Sequence, residues 1–174
     1  MLGVNEWFPN FALTGVDSEN KFVTVANNNS AVSVGEQWSV FYFYPKDFTF
    51  ICPTEIAEMD RLVDEGVNVM GFSGDNEYCK LAWKQQNALI KGIRHPLVAD
   101  SGLFLSENLG IIDESAGVCL RATFIVDPMN RVRSLSVNEL DTGRNVDEII
   151  RTLHALQADG LTGCSWQSGD EFVG

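Results

Sequence analysis

Apolar residues along this chain switch between a period of two and a period near 3.6, and each switch marks an element. Phe8 to Val16 predicts an opening strand, followed by a turn at Asp17-Ser18-Glu19-Asn20 and a polar loop at Asn27-Asn28-Asn29-Ser30. Trp38-Ser39-Val40-Phe41-Tyr42-Phe43-Tyr44 is almost wholly apolar and reads as a buried strand. From Pro53 to Asp64 the apolar residues Ile56, Met59, Leu62 and Val63 follow a helical period, and Gly66 is placed to end that helix as a C′ glycine. Val67 to Ser73 predicts a second strand. Asp75 or Asn76 can cap a helix running to about Ile90. His95 to Asp100 reads as a short strand and Leu103 to Leu109 as a short helix.

Two strands, Ala122–Val126 and Val132–Val137, flank Asp127-Pro128-Met129-Asn130. Proline at the second position of a four-residue turn presets its φ, so this segment predicts a β-hairpin. Asn145 can cap a last helix from Val146 to about Ala158, with Ile149, Ile150, Leu153 and Leu156 on one face. The stretch from Asp159 to Gly174 is rich in Gly, Ser, Asp and Thr and reads as loop. The alternation of strands and helices implies an α/β fold: a central mixed sheet, mostly parallel with an antiparallel hairpin at one side, flanked by helices. That is the layout of a thioredoxin-like fold. The expected division is one domain over residues 1–158 and a C-terminal tail over 159–174.

Composition narrows the function. A chain of 174 residues suits one core. Its formal net charge of −12 argues against nucleic acid and anionic membranes as partners, since both require basic patches. No apolar stretch is long enough to span a bilayer, and Met1-Leu2-Gly3-Val4-Asn5-Glu6 has no signal-peptide pattern, so the expected location is cytoplasmic. Cys52, Cys79, Cys119 and Cys164 form no C-x-x-C, and with only two histidines the chain offers no zinc-ligand pattern. No metal, flavin or haem is implied. His95 and His154 read as a loop residue and a last-helix residue, neither with a carboxylate pattern that would make it a base.

Cys52 is the residue on which chemistry can be placed. It lies where a buried strand ends and a helix begins, with Pro53 suited to the first helical position. Unpaired N–H groups and the positive end of the helix dipole lower a thiol's pKa there, and the thiolate is the nucleophile. A lone cysteine in an apolar segment is more often an inert buried residue. Its neighbours shift that balance: Glu55 can close a capping-box-like arrangement, and Thr49 can direct a hydroxyl toward the thiolate or its substrate. Arg121, just before a hairpin strand, is a candidate cation, although a strand-edge arginine is more often solvated or ion-paired. Lys46 is nearer in sequence but belongs on the exposed side of the loop.

These residues also carry a family resemblance. Pro45-x-x-x-Thr49-x-x-Cys52 resembles the active-site motif of the peroxiredoxins, and the string from Phe43 to Glu55 resembles their typical two-cysteine subgroup, the AhpC type (alkyl hydroperoxide reductase C). Leu81-Ala82-Trp83, Arg121 to Asp127, Gly143 to Glu148 and Cys164-x-Trp166 extend the likeness over nearly the whole chain. The resemblance implies a thiol peroxidase for hydrogen peroxide and organic hydroperoxides. Cys52 would be the peroxidatic cysteine, oxidised to a sulfenic acid. Thr49 and Arg121 would align the O–O bond and stabilise the leaving oxygen, Pro45 would shield the pocket, and Glu55 would orient the arginine. Cys164 would be the resolving cysteine, forming a disulfide with Cys52 of another protomer in a homodimer that often assembles into rings of five dimers. Residues alone leave Cys164 as an incidental tail cysteine. A dithiol protein, AhpD-like, thioredoxin-like or AhpF-like, would then reduce the disulfide. Cys79 and Cys119 match no catalytic position and are assigned to packing.

The chain departs from members that are sensitive to overoxidation. Asn87 to Ile93 has no Gly-Gly-Leu-Gly, and no Tyr-Phe follows Cys164. The expectation is an enzyme that resists conversion of Cys52 to sulfinic acid. Two other readings compete: an oligomeric chaperone or redox-signalling scaffold, which has no need of the Thr49/Cys52/Arg121 set, and a disulfide oxidoreductase, which the missing C-x-x-C disfavours.

Overall fold

The computed structural model describes residues 1–27 and 37–174. Asn28, Asn29 and Ser30 of the expected polar loop lie outside the described residues. Two compact units make up the chain, Met1–Arg144 and Asn145–Gly174.

In the first unit, β1 (Ala12–Val16) and β2 (Phe22–Ala26) form an antiparallel hairpin. Asp17 makes the turn: its Oδ1 accepts from the N–H groups of Glu19 and Lys21, both at 2.9 Å, and Asn20 adopts φ 62°. The opening strand is shorter than the apolar run, because Phe8 and Phe11 pack into the core instead of extending the ladder. β2 has no counterpart among the strands expected from periodicity. β3 (Ser39–Phe43) is buried at every position, as its composition demands. The helical stretch after it divides into α1 (Cys52–Met59) and a 3₁₀ segment, Asp60–Glu65. Gly66 closes this with φ 72°, a left-handed conformation that glycine adopts without steric cost.

β4 (Asn68–Ser73) leads to α2 (Glu77–Gln86), and Asn76 is its cap, accepting from the Cys79 N–H at 2.9 Å. α2 stops short of Ile90. The Asn87 side chain captures the Leu89 N–H at 2.9 Å and turns the backbone out of the helix. β5 is only Leu97–Ala99, since Pro96 has no N–H and the His95 N–H goes to the Asp60 carboxylate. Then come α3 (Phe104–Leu109), the two-residue strands β6 (Ile112–Asp113) and β7 (Val118–Cys119), and the expected hairpin of β8 (Arg121–Val126) and β9 (Val132–Asn138).

Among the described residues, seven strands form one sheet in the order β2-β1-β5-β4-β3-β8-β9. Only β3–β4 and β4–β5 pair in parallel; the remaining neighbours are antiparallel. The sheet is therefore mixed, and the expectation of a mostly parallel one is corrected. Side chains of β3 alternate between its faces. Phe41 and Phe43 enter an aromatic core with Phe8, Phe11, Phe72 and Phe124, in which Phe43 stacks on Phe72 at 4.8 Å. Tyr42 points to the other face, the side of the candidate site.

The second unit holds α4 (Val146–Gln157), capped by Asn145, whose Oδ1 accepts from the Glu148 N–H at 3.1 Å. The segment after it has no helix or strand, as expected, but it is tied to α4. Arg151 donates to the Trp166 carbonyl at 3.0 Å, Ser168 Oγ lies 2.8 Å from His154 Nδ1, and the Trp166 ring stacks on Phe172.

Candidate active site

The loop from Tyr44 to Ile51 joins the carboxyl end of β3 to α1, and a buried ion pair fixes its path. Lys80 on α2 and Asp47 have fully buried side chains and meet at 3.2 Å. Asp47 also accepts from the Tyr44 hydroxyl at 2.8 Å and the Ser73 hydroxyl at 3.0 Å, and its own N–H donates to Asp75 at 2.8 Å. Phe48 adopts φ 57°, an uncommon conformation for a bulky residue. Lys46 is exposed, as expected of it.

Cys52 is the first residue of α1 and fully buried; Ile51 is the N-cap and Pro53 the second helical residue. Arg121, the first residue of β8, brings Nη1 to 3.3 Å from the Cys52 sulfur. The same nitrogen donates to Glu55 Oε2 at 2.7 Å, while Nε donates to the Leu140 carbonyl at 2.7 Å. This arginine is only 4% exposed, so it is not the solvated strand-edge residue that base frequencies favour. Burial opposes its charge, yet the bonds to Cys52 and Glu55 prevail and raise its pKa. Glu55 makes no capping box; its carboxylate faces the arginines instead, and the helix start has no side-chain cap.

Arg144 enters the sequence reading only as part of a resembling segment, without a role. Its side chain is 2% exposed, and it holds Glu55 with Nε–Oε1 at 3.1 Å and Nη2–Oε2 at 3.2 Å. It also donates to the carbonyls of Ala122 and Phe43 and to the Thr123 hydroxyl. It thus ties β3, β8 and α1 together around one carboxylate. Nothing local in Gly143-Arg144-Asn145 announces this reach; the likeness of the Gly143–Glu148 segment is the one available signal.

Thr49 is half-buried, and its hydroxyl donates to the Lys46 carbonyl at 2.8 Å, not to sulfur. An open groove of about 390 Å³ runs over Thr49 and Pro53, walled by Phe48, Phe50 and Trp83. Pro45 lines a second hollow of about 270 Å³ with Lys46, Asp75 and Leu103.

The other thiols sit in different surroundings. Cys119 is buried among the core aromatics, donates to the Tyr44 carbonyl at 2.9 Å, and has its pKa pushed by burial to about 12. Cys79 is half-buried on α2, raised to about 11 by burial and then by Asp47 and Asp75. Cys164 is exposed in the second unit. His95 departs from the sequence reading. It is buried, its Nδ1 lies 2.7 Å from Asp60 Oδ1, and its Nε2 lies 2.6 Å from the Tyr42 hydroxyl. The carboxylate comes from α1's 3₁₀ extension, far from His95 in sequence.

A buried thiol that opens a helix at the carboxyl end of a central strand, in contact with a guanidinium, defines a thiol-dependent oxidoreductase on a thioredoxin-like fold. The AhpC/TSA family profile matches residues 4–135. Alkyl hydroperoxide reductase C of Mycolicibacterium smegmatis is 37% identical over 188 residues, covering 99% of this chain and 94% of that protein. Among solved structures, the reduced 2-Cys peroxiredoxin of Plasmodium vivax superposes with a TM-score of 0.90 at 32% identity, covering 98% of this chain and 92% of the other. AhpC of Enterococcus faecalis gives a TM-score of 0.84 at 32% identity over 94% and 99%. The chain belongs to the AhpC/TSA family and is a peroxiredoxin, a thiol-dependent peroxidase. Among the described residues, no helix is long and apolar enough to cross a membrane.

Proposed function

We propose that Cys52 reduces hydrogen peroxide and small organic hydroperoxides in two thiol steps. The observation that carries this reading is the 3.3 Å contact between Arg121 Nη1 and the Cys52 sulfur, both of them buried. A cation in direct contact favours negative charge on sulfur. The Cys52 thiolate attacks the terminal peroxide oxygen. A sulfur–oxygen bond forms as the O–O bond breaks, and the leaving alkoxide or hydroxide takes the bond's electron pair and then a proton, equivalent to the one lost from the thiol. Cys52 is left as a sulfenic acid.

Arg121 is placed to stabilise the growing charge on oxygen as a preorganised donor. Thr49 has spent its proton on Lys46, so its free lone pairs serve as acceptors for the peroxide O–H. Glu55 orients Arg121, with Arg144 behind it, and Pro45 keeps water from the pocket. Cys164 of a second protomer then attacks the sulfenic sulfur, displacing water and forming a Cys52–Cys164 disulfide between the two protomers. A dithiol protein of the AhpD, thioredoxin or AhpF kind returns both thiols by exchange. The working unit is a homodimer, assembling into a ring-shaped decamer or a related ring, in the reducing cytoplasm where free cysteines persist. Residues 1–158 serve as the peroxidase domain and 159–174 as the segment delivering Cys164.

Stopped-flow peroxide reduction tests the assignment. Cys52→Ser is expected to abolish turnover, while Cys164→Ser completes one reduction and then stalls with a dithiol protein as reductant. Full activity in Cys52→Ser would defeat the proposal.

A further inference from the structure

Tyr42 is fully buried on β3, on the face of the sheet opposite the aromatic core. Its ring lies over Gly71 of β4, its register partner. A Cβ at residue 71 would stand 2.4 Å from the ring, so only glycine admits the ring here. The hydroxyl meets His95 Nε2 at 2.6 Å, and His95 Nδ1 meets Asp60 Oδ1 at 2.7 Å. Asp60 in turn accepts from the Arg94 N–H at 2.8 Å and Arg94 Nε at 2.9 Å. One protonation pattern satisfies every group: neutral His95 donates from Nδ1 to Asp60 and accepts the Tyr42 proton at Nε2. Protonating His95 would turn both ring nitrogens into donors and leave the phenolic proton without its acceptor.

The Tyr42 ring also faces the guanidinium of Arg144, whose carbon lies 5.1 Å from the ring centroid. The edges of the Arg144 fork are occupied by Glu55 and by acceptors on β3 and β8, so only its flat face remains. An aromatic face is apolar enough to pack there and still attracts the cation. Contacts therefore run without a break from Asp60 and His95 to Tyr42, Arg144, Glu55, Arg121 and the Cys52 sulfur. All but the Asp60 end lie out of water, where electrostatic contacts are strongest.

We propose that Tyr42 is a positioning residue for the Cys52 site: anchored by His95 and Asp60, its ring holds Arg144 and, through Glu55, sets the Arg121–Cys52 contact. It touches neither thiol nor substrate. This rests on Cys52 being the reactive thiol. The titratable and charged groups around Tyr42 are Arg144, Glu55, Asp60, Cys52, Tyr44 and His95, and Lys84 and Arg94 act on His95 in turn.

The test compares Tyr42→Leu and Tyr42→Phe with the wild type. Two quantities are read: kcat/KM for hydrogen peroxide, and the pH profile of Cys52 alkylation by iodoacetamide, followed peptide by peptide with Cys164 as internal reference. Tyr42→Leu should lower kcat/KM about tenfold and move the Cys52 profile to higher pH, leaving Cys164 unchanged. Tyr42→Phe keeps the ring and should recover most of both. A folded Tyr42→Leu with a wild-type Cys52 profile overturns the proposal. Should Tyr42→Leu fail to fold, Tyr42→Met removes the ring while filling more of its volume, and an unmoved Cys52 profile there overturns the proposal equally. A wild type that consumes no peroxide would instead defeat the reading of Cys52 itself.

Discussion

Glu55 carries one negative charge between two buried guanidinium groups, and the pocket's geometry depends on that balance. Removing one member of a buried ionic group leaves the others uncompensated at a cost of several kcal/mol. Glu55→Ala should therefore destabilise the protein by about 3–5 kcal/mol in urea unfolding, and the peroxide reaction should slow as Arg121 loses its hold. Arg121→Lys keeps a charge but loses the planar fork that serves Cys52, Glu55 and Leu140 together, so its kcat/KM should fall about 10²-fold with the fold intact. Wild-type rates in Arg121→Lys would remove the guanidinium from the mechanism. His95 gives a pH signature. Burial, the largest influence, lowers its pKa below the ordinary 6.5, so the unfolded chain binds a proton more readily than the folded one. Stability from this group is complete above about pH 6.5 and declines as pH falls toward the folded value, by up to about 1.4 kcal/mol per unit. Asp60, also lowered, adds its loss only below about its ordinary 3.8. Urea unfolding at pH 7.5 and 5.0 should show this loss in the wild type and much less of it in His95→Gln. At this scale Cys52 is legible because a cysteine at a strand–helix junction has a local physical reason to react. Arg144 and His95 are not, because their partners lie 89 and 35 residues away and leave no periodic trace.

The elements that sequence locates best are those governed by local rules: the uniformly buried β3, the Asn76 and Asn145 caps, the Gly66 stop and the Asp127–Asn130 hairpin. β2 escapes because its five residues alternate only weakly, and β6 and β7 are too short to have a period. The loop bearing Thr49 depends on the Lys80–Asp47 pair rather than on any turn signal. Lys80→Met should destabilise the protein by about 3–5 kcal/mol by stranding a buried carboxylate, and adding Asp47→Leu should recover much of that loss. Equal stability of the single and double variants would contradict a coupled pair. Gly71→Ala, with no room beneath Tyr42, should cost about 1–3 kcal/mol and disturb the Cys52 site, whereas an unperturbed variant would mean the ring shifts freely.

At the scale of the sheet, the proposed chemistry lies at the carboxyl end of the parallel trio β5-β4-β3, and β8, antiparallel beside β3, carries Arg121. That strand order comes from pairings distant in sequence, so the element pattern predicts an α/β layout but overestimates its parallel share. The motif around Cys52 identifies the chemistry more sharply than the fold can, since one sheet architecture serves many reactions. We propose Cys52 as the thiol that meets peroxide and Cys164 as the thiol that resolves it. Reduced protein should be treated with about one equivalent of hydrogen peroxide, then separated on a non-reducing denaturing gel and mapped by mass spectrometry. A dimer cross-linked through Cys52 and Cys164 is the expected result. Peroxide consumed with Cys52 unmodified, or not consumed at all, would contradict the role of Cys52.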